Sequence, residues 1–288
     1  MNVIRVRTAG FCMGVGLALR KLDQELVARR NTNLTGRLVM LGPIIHNPQV
    51  LSEYDAQGVI QAHSLDEIRS GDTVVIRAHG IPRTDEARLR SLGAVIVDAT
   101  CPKVKKAQLA IADATGDGSP LYLFGEADHP EVRGLVSYAA GPCRVFSSLE
   151  ELRAMPSEFG PHAVLAAQTT QERLEFDAIR EWLESRLDLS VLSTICDATR
   201  KRQKETQEVA GQVQAMIVVG GRSSGNTRRL ADVVRSCGVP VWHIETAEEL
   251  PLAELASHTS IGITAGASTP RLLVDEVQQL LESTGRKS

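Results

Sequence analysis

Three cysteines recur along the 288-residue chain at nearly equal intervals, each after an apolar segment of the kind that forms a β-strand. Cys12 follows "VIRVRTAGF", Cys101 follows "AVIVDAT" and Cys196 follows "LSVLSTI". The first two are 89 residues apart, the second and third are 95 apart, and 92 residues follow the third. Self-similarity at a fixed period indicates that one folding unit occurs three times.

Each third of the chain repeats the same order of signals. A stretch compatible with an amphipathic helix follows each cysteine, and then comes a short strand that ends in glycine: "RLVMLG", "PLYLFG" and "AMIVVG". The last strands of the units are "TVVIRAHG", "AVLAAQTT" and "IGITAGAS". His79 and Gln168 each lie 67 residues after their cysteine, and Ser268 lies 72 after its own. Strands that alternate with helices predict parallel sheets with right-handed crossovers.

The predicted fold class is α/β, with three small α/β domains and parallel-rich sheets around a pseudo-threefold axis. Residues 13–100 form the first predicted domain, residues 101–195 the second, and residues 196–288 together with 1–12 the third. Ligands of open α/β sheets bind outside the carboxyl ends of the strands. We therefore expect the three cysteines to face one central cavity.

Charge and hydropathy exclude several classes of protein. The formal net charge is −3, whereas nucleic-acid binders are usually strongly basic. No apolar run reaches the roughly 18 residues that a bilayer-spanning helix needs, and the first residues lack the apolar stretch of a secretory signal. The sequence therefore predicts a cytoplasmic protein that binds neither nucleic acid nor membranes. Its five cysteines, an odd number, do not predict a disulfide framework.

Three converging cysteines without a fourth partner suit two kinds of metal site. One is zinc with three thiolate ligands and an open position. The other is an iron–sulfur cluster held at three irons, with the fourth iron open to substrate. The residue pattern alone leaves both alternatives open, together with a third in which all three cysteines are buried core residues. Cys143 and Cys237 do not share the register, and we interpret them as ordinary core or surface thiols.

A glycine- and serine-rich segment, "GGRSSGNTRRL" at residues 220–230, predicts an anion site between a strand and a helix. Backbone N–H groups and a helix N-terminus bind phosphate, although the segment matches neither the Walker A nor the Rossmann pattern. Polar residues at equivalent strand ends strengthen the prediction of a polyanion pocket. They are His46, His79, Ser224, Asn226 and Ser268.

Glu131, in the segment "HPEV", is the candidate acid, and His129 lies two residues before it. A carboxyl group in a closed, partly dry cavity has a raised pKa and can deliver protons near neutral pH. Thr169 follows the last strand of the second unit, where its hydroxyl could orient a substrate hydroxyl.

Two basic runs, "PKVKK" and "RKRQK", follow the second and third cysteines. They suit either ordinary solvated helix faces or a docking surface for a small acidic electron carrier. The residues of the predicted docking surface are Lys103, Lys105, Lys106, Arg200, Lys201 and Arg202.

Nine motifs together resemble the 4-hydroxy-3-methylbut-2-enyl diphosphate reductase family over nearly the whole chain. They are "GFCMGV", "HNPQV", "AHG", "DATCP", "HPEV", "QTT", "ICDAT", "GNTRRLA" and "TAGAS". The resemblance implies three α/β domains around one 4Fe–4S cluster with three cysteine ligands, Cys12, Cys101 and Cys196, and an open fourth iron. It implies a two-electron, two-proton removal of the substrate hydroxyl that gives isopentenyl diphosphate and dimethylallyl diphosphate. This is the last step of the non-mevalonate isoprenoid pathway, with reduced ferredoxin or flavodoxin as the implied electron donor.

The resemblance also implies roles for single residues. Glu131 would be the proton source, with His129 beside the substrate and Thr169 near its hydroxyl. The diphosphate would be held by His46, His79, Ser224, Asn226 and Ser268.

The sequence departs from the family at one position of this pocket. Many members have Ser-Ser-Asn where this chain has Ser-Gly-Asn at 224–226. Gly225 can offer the diphosphate only its backbone N–H, and we expect at most weaker binding.

Two other functions fit the same residues. A non-redox iron–sulfur hydro-lyase acting on a phosphorylated small molecule would need the same three cysteines. A phosphate-ligand sensor without turnover would not need a pre-placed acid such as Glu131.

Overall fold

The computed structural model describes residues 1–32, 36–155 and 160–285. The strands within these ranges are β1 (Asn2–Arg5), β2 (Leu38–Leu41), β3 (Ile60–Ala62), β4 (Thr73–Ile76), β5 (Val95–Asp98), β6 (Leu121–Phe124), β7 (Cys143–Phe146), β8 (His162–Ala167), β9 (Asp188–Val191), β10 (Ala215–Val219), β11 (Val241–Ile244) and β12 (Ser260–Ala265). The helices are α1 (Met13–Asn31), α2 (Pro48–Asp55), α3 (Arg83–Ser91), α4 (Pro102–Ala114), α5 (Pro130–Val136), α6 (Leu149–Ala154), α7 (Arg173–Glu184), α8 (Asp197–Ala210), α9 (Gly225–Ser236), α10 (Leu252–Leu255) and α11 (Arg271–Gly285). Two 3₁₀ turns lie at Leu65–Glu67 and Ala247–Glu249.

The strands form three four-stranded sheets with one shared topology. The sheet orders are β3-β2-β4-β5, β7-β6-β8-β9 and β11-β10-β12-β1, and every strand pair described is parallel. Each sequence repeat contributes three strands, counted in chain order, to its sheet. The second of these strands pairs with the first, the first pairs with the third, and the third pairs with an edge strand that leads to a cysteine. The predicted α/β class with three parallel-sheet domains is confirmed. The N-terminal strand β1 pairs with β12, as expected for a third domain that includes both ends of the sequence.

The chain divides into two compact units. The first unit consists of Met1–Gly16, Ile45–Glu53 and Asp197–Ser288, and it contains the sheet of β1 and β10–β12. The second unit consists of Leu17–Ile44 and Tyr54–Cys196, and it contains the other two sheets. The three domain boundaries drawn from the sequence stay a prediction.

The apolar runs of the sequence become the inner strands of the sheets. All residues of β2, β6 and β10 are buried, since helices cover both faces of a parallel sheet. The edge strands β5 and β9 are partly exposed. Within the described ranges, no helix has the length and apolar character that crossing a membrane requires.

Candidate functional site

The three cysteines occupy the same position relative to their sheets. In each case the backbone N–H of the cysteine donates to a carbonyl two residues beyond the end of the sheet's third strand. The bonds are Cys12 N–H to Ala267 O (3.1 Å), Cys101 N–H to Ala78 O (2.9 Å) and Cys196 N–H to Thr169 O (2.9 Å). Each cysteine therefore lies at the carboxyl edge of a parallel sheet, where ligands of such sheets bind.

Each of these cysteines also directly precedes a helix, α1, α4 or α8. A helix N-terminus favours an anionic ligand such as a thiolate. Pro102 is the first residue of α4, a position at which its missing N–H costs nothing. The N–H of Val15 points at the Cys12 sulfur, with a distance of 3.4 Å. All three side chains are thiols rather than disulfides, and they are half-buried, which suits metal ligation.

The other two cysteines differ in setting. Burial raises the pKa of the Cys143 thiol to about 12, so it stays protonated at neutral pH. Cys237 is exposed at the C-terminus of α9, where its sulfur contacts the carbonyl oxygen of Val233 (3.2 Å). Both settings are those of an ordinary core or surface thiol, and this interpretation stays a prediction.

Glu131 and Thr169 form a buried pair in the second unit. Glu131 is only 2% exposed, and one carboxyl oxygen accepts the Thr169 N–H (2.6 Å) while the other accepts the Thr169 hydroxyl (3.0 Å). Burial raises the pKa of Glu131 to about 7, although both bonds from Thr169 act to lower it. Because the Thr169 carbonyl accepts the Cys196 N–H, a continuous chain of contacts joins this carboxyl group to the Cys196 position.

His129 is held by the helix that carries Glu131. Its Nδ1 accepts the N–H of Glu131 (3.1 Å) and so caps the N-terminus of α5, which leaves Nε2 as the nitrogen that can donate. The ring of His79 meets the ring of His129 edge to face, with 5.3 Å between centroids. The structure thus brings together four of the predicted site residues within the second unit, Glu131, Thr169, His129 and His79.

The first unit carries the glycine- and serine-rich segment as a turn that enters α9. Ser224 caps this helix by accepting the Thr227 N–H (3.4 Å). Gly220, at the end of β10, has a φ of +143°, and a Cβ there would lie 2.4 Å from Thr269 Oγ1. Only glycine fits this turn, because a side chain at this position would be strained and would clash with Thr269. Gly220 therefore allows the backbone direction that the chain takes after β10.

Polar side chains converge at the start of α9. The Ser268 hydroxyl donates to the His46 carbonyl (3.2 Å) and lies 3.5 Å from Ser224 Oγ. The side-chain nitrogen of Asn226 is buried and has no hydrogen-bond partner among the described residues. A helix N-terminus with a nearby unused amide donor suits an anion. Gly225, the first residue of α9, is buried beside Asn226.

The predicted site residues divide between the two units. The first unit holds Cys12, His46, Ser224, Gly225, Asn226 and Ser268, and the second holds Cys101, Cys196, His79, His129, Glu131 and Thr169.

The predicted docking surface is wrong at Arg202. This residue is 3% exposed, and its guanidinium donates to the Ala265 carbonyl at the end of β12 (2.6 Å). Its position in α8 turns it toward the sheet. The run of charges in the sequence does not indicate which of its residues faces the sheet. The other two predicted docking residues in α8, Arg200 and Lys201, are exposed, and Arg200 pairs with Asp197 (3.1 Å).

In the second unit, the basic run of α4 borders a groove of about 670 Å³ that also involves α1. Lys103 and Lys106 are exposed, whereas Lys105 is half-buried with its nitrogen 3.5 Å from the Asp98 carboxylate. Lys21 of α1, which the sequence analysis did not single out, lines the groove and donates to the Asp98 carbonyl. No local pattern marks Lys21, because its partner lies 77 residues away.

Comparisons with known proteins agree with this architecture. The family model described as "LytB protein" matches residues 3–282. A relative from Nitratidesulfovibrio vulgaris (strain DSM 19637 / Miyazaki F), named 4-hydroxy-3-methylbut-2-enyl diphosphate reductase, is 56% identical over 285 residues, which cover 98% of this chain and 100% of the relative.

Two solved structures are also similar. One is (E)-4-hydroxy-3-methyl-but-2-enyl diphosphate reductase, described as the terminal enzyme of the non-mevalonate pathway. It is 36% identical with a TM-score of 0.68, over 98% of this chain and 100% of that one. The second, a reductase from Plasmodium falciparum, has a TM-score of 0.90 over 97% of this chain and 87% of that one. At 23% identity it supports the fold alone.

Proposed function

Because this chain belongs to the LytB protein family, we propose that it reduces 4-hydroxy-3-methylbut-2-enyl diphosphate to isopentenyl diphosphate and dimethylallyl diphosphate. The reaction breaks the bond between carbon and the hydroxyl oxygen, consumes two electrons and two protons, and releases water. Relatives with this name match the chain over almost its full length. Among the structural features, the equivalent placement of the three cysteines at the sheet edges carries the proposal.

The chemistry of the donor set fits an iron–sulfur cluster, the kind of cofactor that the family uses. Cys12, Cys101 and Cys196 are partly accessible thiols at helix N-termini, and thiolates are the usual ligands of such clusters. We assign them as three ligands of one 4Fe–4S cluster with an open fourth iron. When bound, it would pass the electrons of an external donor to the substrate and would offer an open iron position for the substrate hydroxyl.

The first unit offers the diphosphate site. The Asn226 amide and the Gly225 N–H would donate to phosphate oxygens, and the hydroxyls of Ser224 and Ser268 lie beside them. The dipole of α9 adds a favourable field for the negative charge. His46 and His79 complete the proposed set, as the resemblance implies.

Glu131 is the proposed proton donor. With a pKa of about 7, it holds a proton in a substantial fraction of molecules at neutral pH, which suits a general acid. Thr169 keeps the carboxyl group in place through two hydrogen bonds, and its hydroxyl could orient the hydroxyl of the substrate. His129, with Nε2 as its donor nitrogen, would stand beside the substrate.

A reduced ferredoxin or flavodoxin is the proposed electron donor. Lys103 and Lys106 are exposed on α4, the helix that directly follows Cys101, and the exposed Leu109 lines the groove that this helix borders. Positive charge around an apolar contact suits a weakly bound acidic partner. Arg200 and Lys201 stay candidates on α8, and a cytoplasmic location stays a prediction.

Anaerobic turnover of the purified holoenzyme tests this function. With a chemically reduced viologen as donor, we expect both diphosphate products and two electrons consumed per product. Serine at Cys12, Cys101 or Cys196 should abolish turnover, whereas the matched control Cys237→Ser should keep it. Loss of water from the substrate without electron consumption, which gives a dehydrated product in place of the two reduced ones, would instead support the hydro-lyase.

A further inference from the structure

We infer that Gln108, a buried side chain of α4, is a positioning residue for the proposed reduction, and the inference rests on that function. Gln108 is 1% exposed, and among the described residues neither its amide nitrogen nor its amide oxygen has a hydrogen-bond partner. A buried amide without partners lowers stability, because nothing replaces its hydrogen bonds to water. A glutamine in this setting therefore calls for a reason other than stability.

The amide fits against two glycines that come from different elements. Gly80 follows His79 with a φ of +72°, and a Cβ at Gly80 would lie 2.7 Å from Gln108 Nε2. A Cβ at Gly134, within α5, would lie 3.4 Å from the same nitrogen and 3.7 and 3.8 Å from the carbonyl oxygens of Ile81 and His79. The amide is thus in close contact with the His79 turn and also borders α5.

Gln108 therefore touches the elements that carry the proposed machinery of the second unit. Its own helix directly follows Cys101, and α5 directly follows His129 and contains Glu131. His79, whose turn the amide contacts, meets the His129 ring at 5.3 Å. Because a shift of about 1 Å in a reacting group can cost up to a hundredfold in rate, a spacer at this junction would set the geometry of the proton donor and the histidines.

The variant Gln108→Met tests the role, since methionine fills a similar volume without polar atoms. We expect a higher urea midpoint, because two unsatisfied polar groups are removed from the interior. We also expect kcat/KM of the holoenzyme to fall about tenfold or more. In the substrate-free protein, the NMR signals of the His79 and His129 rings should shift.

Thr115→Val, at the residue that directly follows the same helix, is the matched control. The Thr115 hydroxyl is fully buried but bonded, donating to Ile111 O (2.7 Å) and accepting the Ala140 N–H (3.0 Å). We expect the opposite signature, a lower midpoint with unchanged kcat/KM.

Three results would each overturn the inference: a lower midpoint for Gln108→Met, an unchanged kcat/KM, or unchanged signals of both rings. If the wild-type protein formed no product, the proposed function would fail by itself. The midpoint and the ring signals need no substrate, so they would still decide whether Gln108 positions the histidines.

Discussion

Replacing Glu131 with glutamine should make the protein more stable at alkaline pH. The pKa of this carboxyl group is about 7 in the folded chain, against an ordinary value of 4.5, because burial penalises the charged form. Below pH 4.5 the group is protonated in both states and folding suffers no charge penalty. As the pH rises from 4.5 through 7, the free energy of unfolding falls, since the carboxyl group ionises more readily in the unfolded chain than in the folded one.

The magnitude follows from the pKa difference. At 1.36 kcal/mol per unit, the rise from 4.5 to about 7 corresponds to about 3 kcal/mol, all of it lost by pH 8. A glutamine keeps the shape and an oxygen acceptor for the Thr169 N–H but has no charge. We therefore compare the difference in the free energy of unfolding, Glu131→Gln minus wild type, at two pH values. This difference should be up to about 3 kcal/mol larger at pH 8 than at pH 4.5.

Urea unfolding, followed by the fluorescence of Trp182, measures this difference. Trp182 packs against the core of the β6–β9 sheet, which lies in the same unit as Glu131. Trp242→Phe in both proteins removes the other tryptophan. The variant should still bind inorganic pyrophosphate and should form no reduced product. Parallel stability curves for the two proteins between pH 5 and 8 would refute the claim that burial raises the pKa of Glu131.

Three further substitutions have distinct expected outcomes. Asn226→Ala should weaken binding of inorganic pyrophosphate by roughly tenfold or more in calorimetry, because a hydrogen bond to a charged group is lost, and unchanged affinity would count against the anion site. Lys106→Glu should slow turnover with reduced ferredoxin at low salt and leave turnover with a reduced viologen unchanged, while an equal loss with both donors would exclude a docking role. Arg202→Met should lower the free energy of unfolding by about 1–3 kcal/mol, because the Ala265 carbonyl loses its donor, and a donor-specific loss of activity without destabilisation would contradict the buried position.

The repeat of three sheets was predictable because strand and helix signals are local and recur at a fixed spacing. The cysteines could likewise be placed at strand ends from the residues that precede them. The hydrogen bonds that their backbone N–H groups make just beyond the ends of β4, β8 and β12 were not predictable. These bonds join residues about 23 to 255 positions apart in the sequence. Which face of a helix is buried likewise depends on the elements that pack against it.

Arg202 and Gln108 are two residues whose surroundings local sequence patterns do not predict. The run "RKRQK" reads as a solvated face, yet the pitch of α8 turns Arg202 onto the sheet. Gln108 lies in the mostly apolar stretch "AQLAIA", and only the approach of Gly80 and Gly134 makes its amide notable. The pKa of Glu131 could be expected to rise from its place in a closed site, but its bonds to Thr169 depend on contacts between distant segments.

The iron content and Mössbauer spectrum of protein purified without oxygen test the central claim most directly. The proposed site predicts about four irons per chain, with one iron spectroscopically distinct because it has no cysteine ligand. Serine at Cys12, Cys101 or Cys196 should each reduce cluster loading, and serine at Cys143 or Cys237 should not. A colourless protein that binds zinc, or full cluster loading in any of the three ligand variants, would contradict the account.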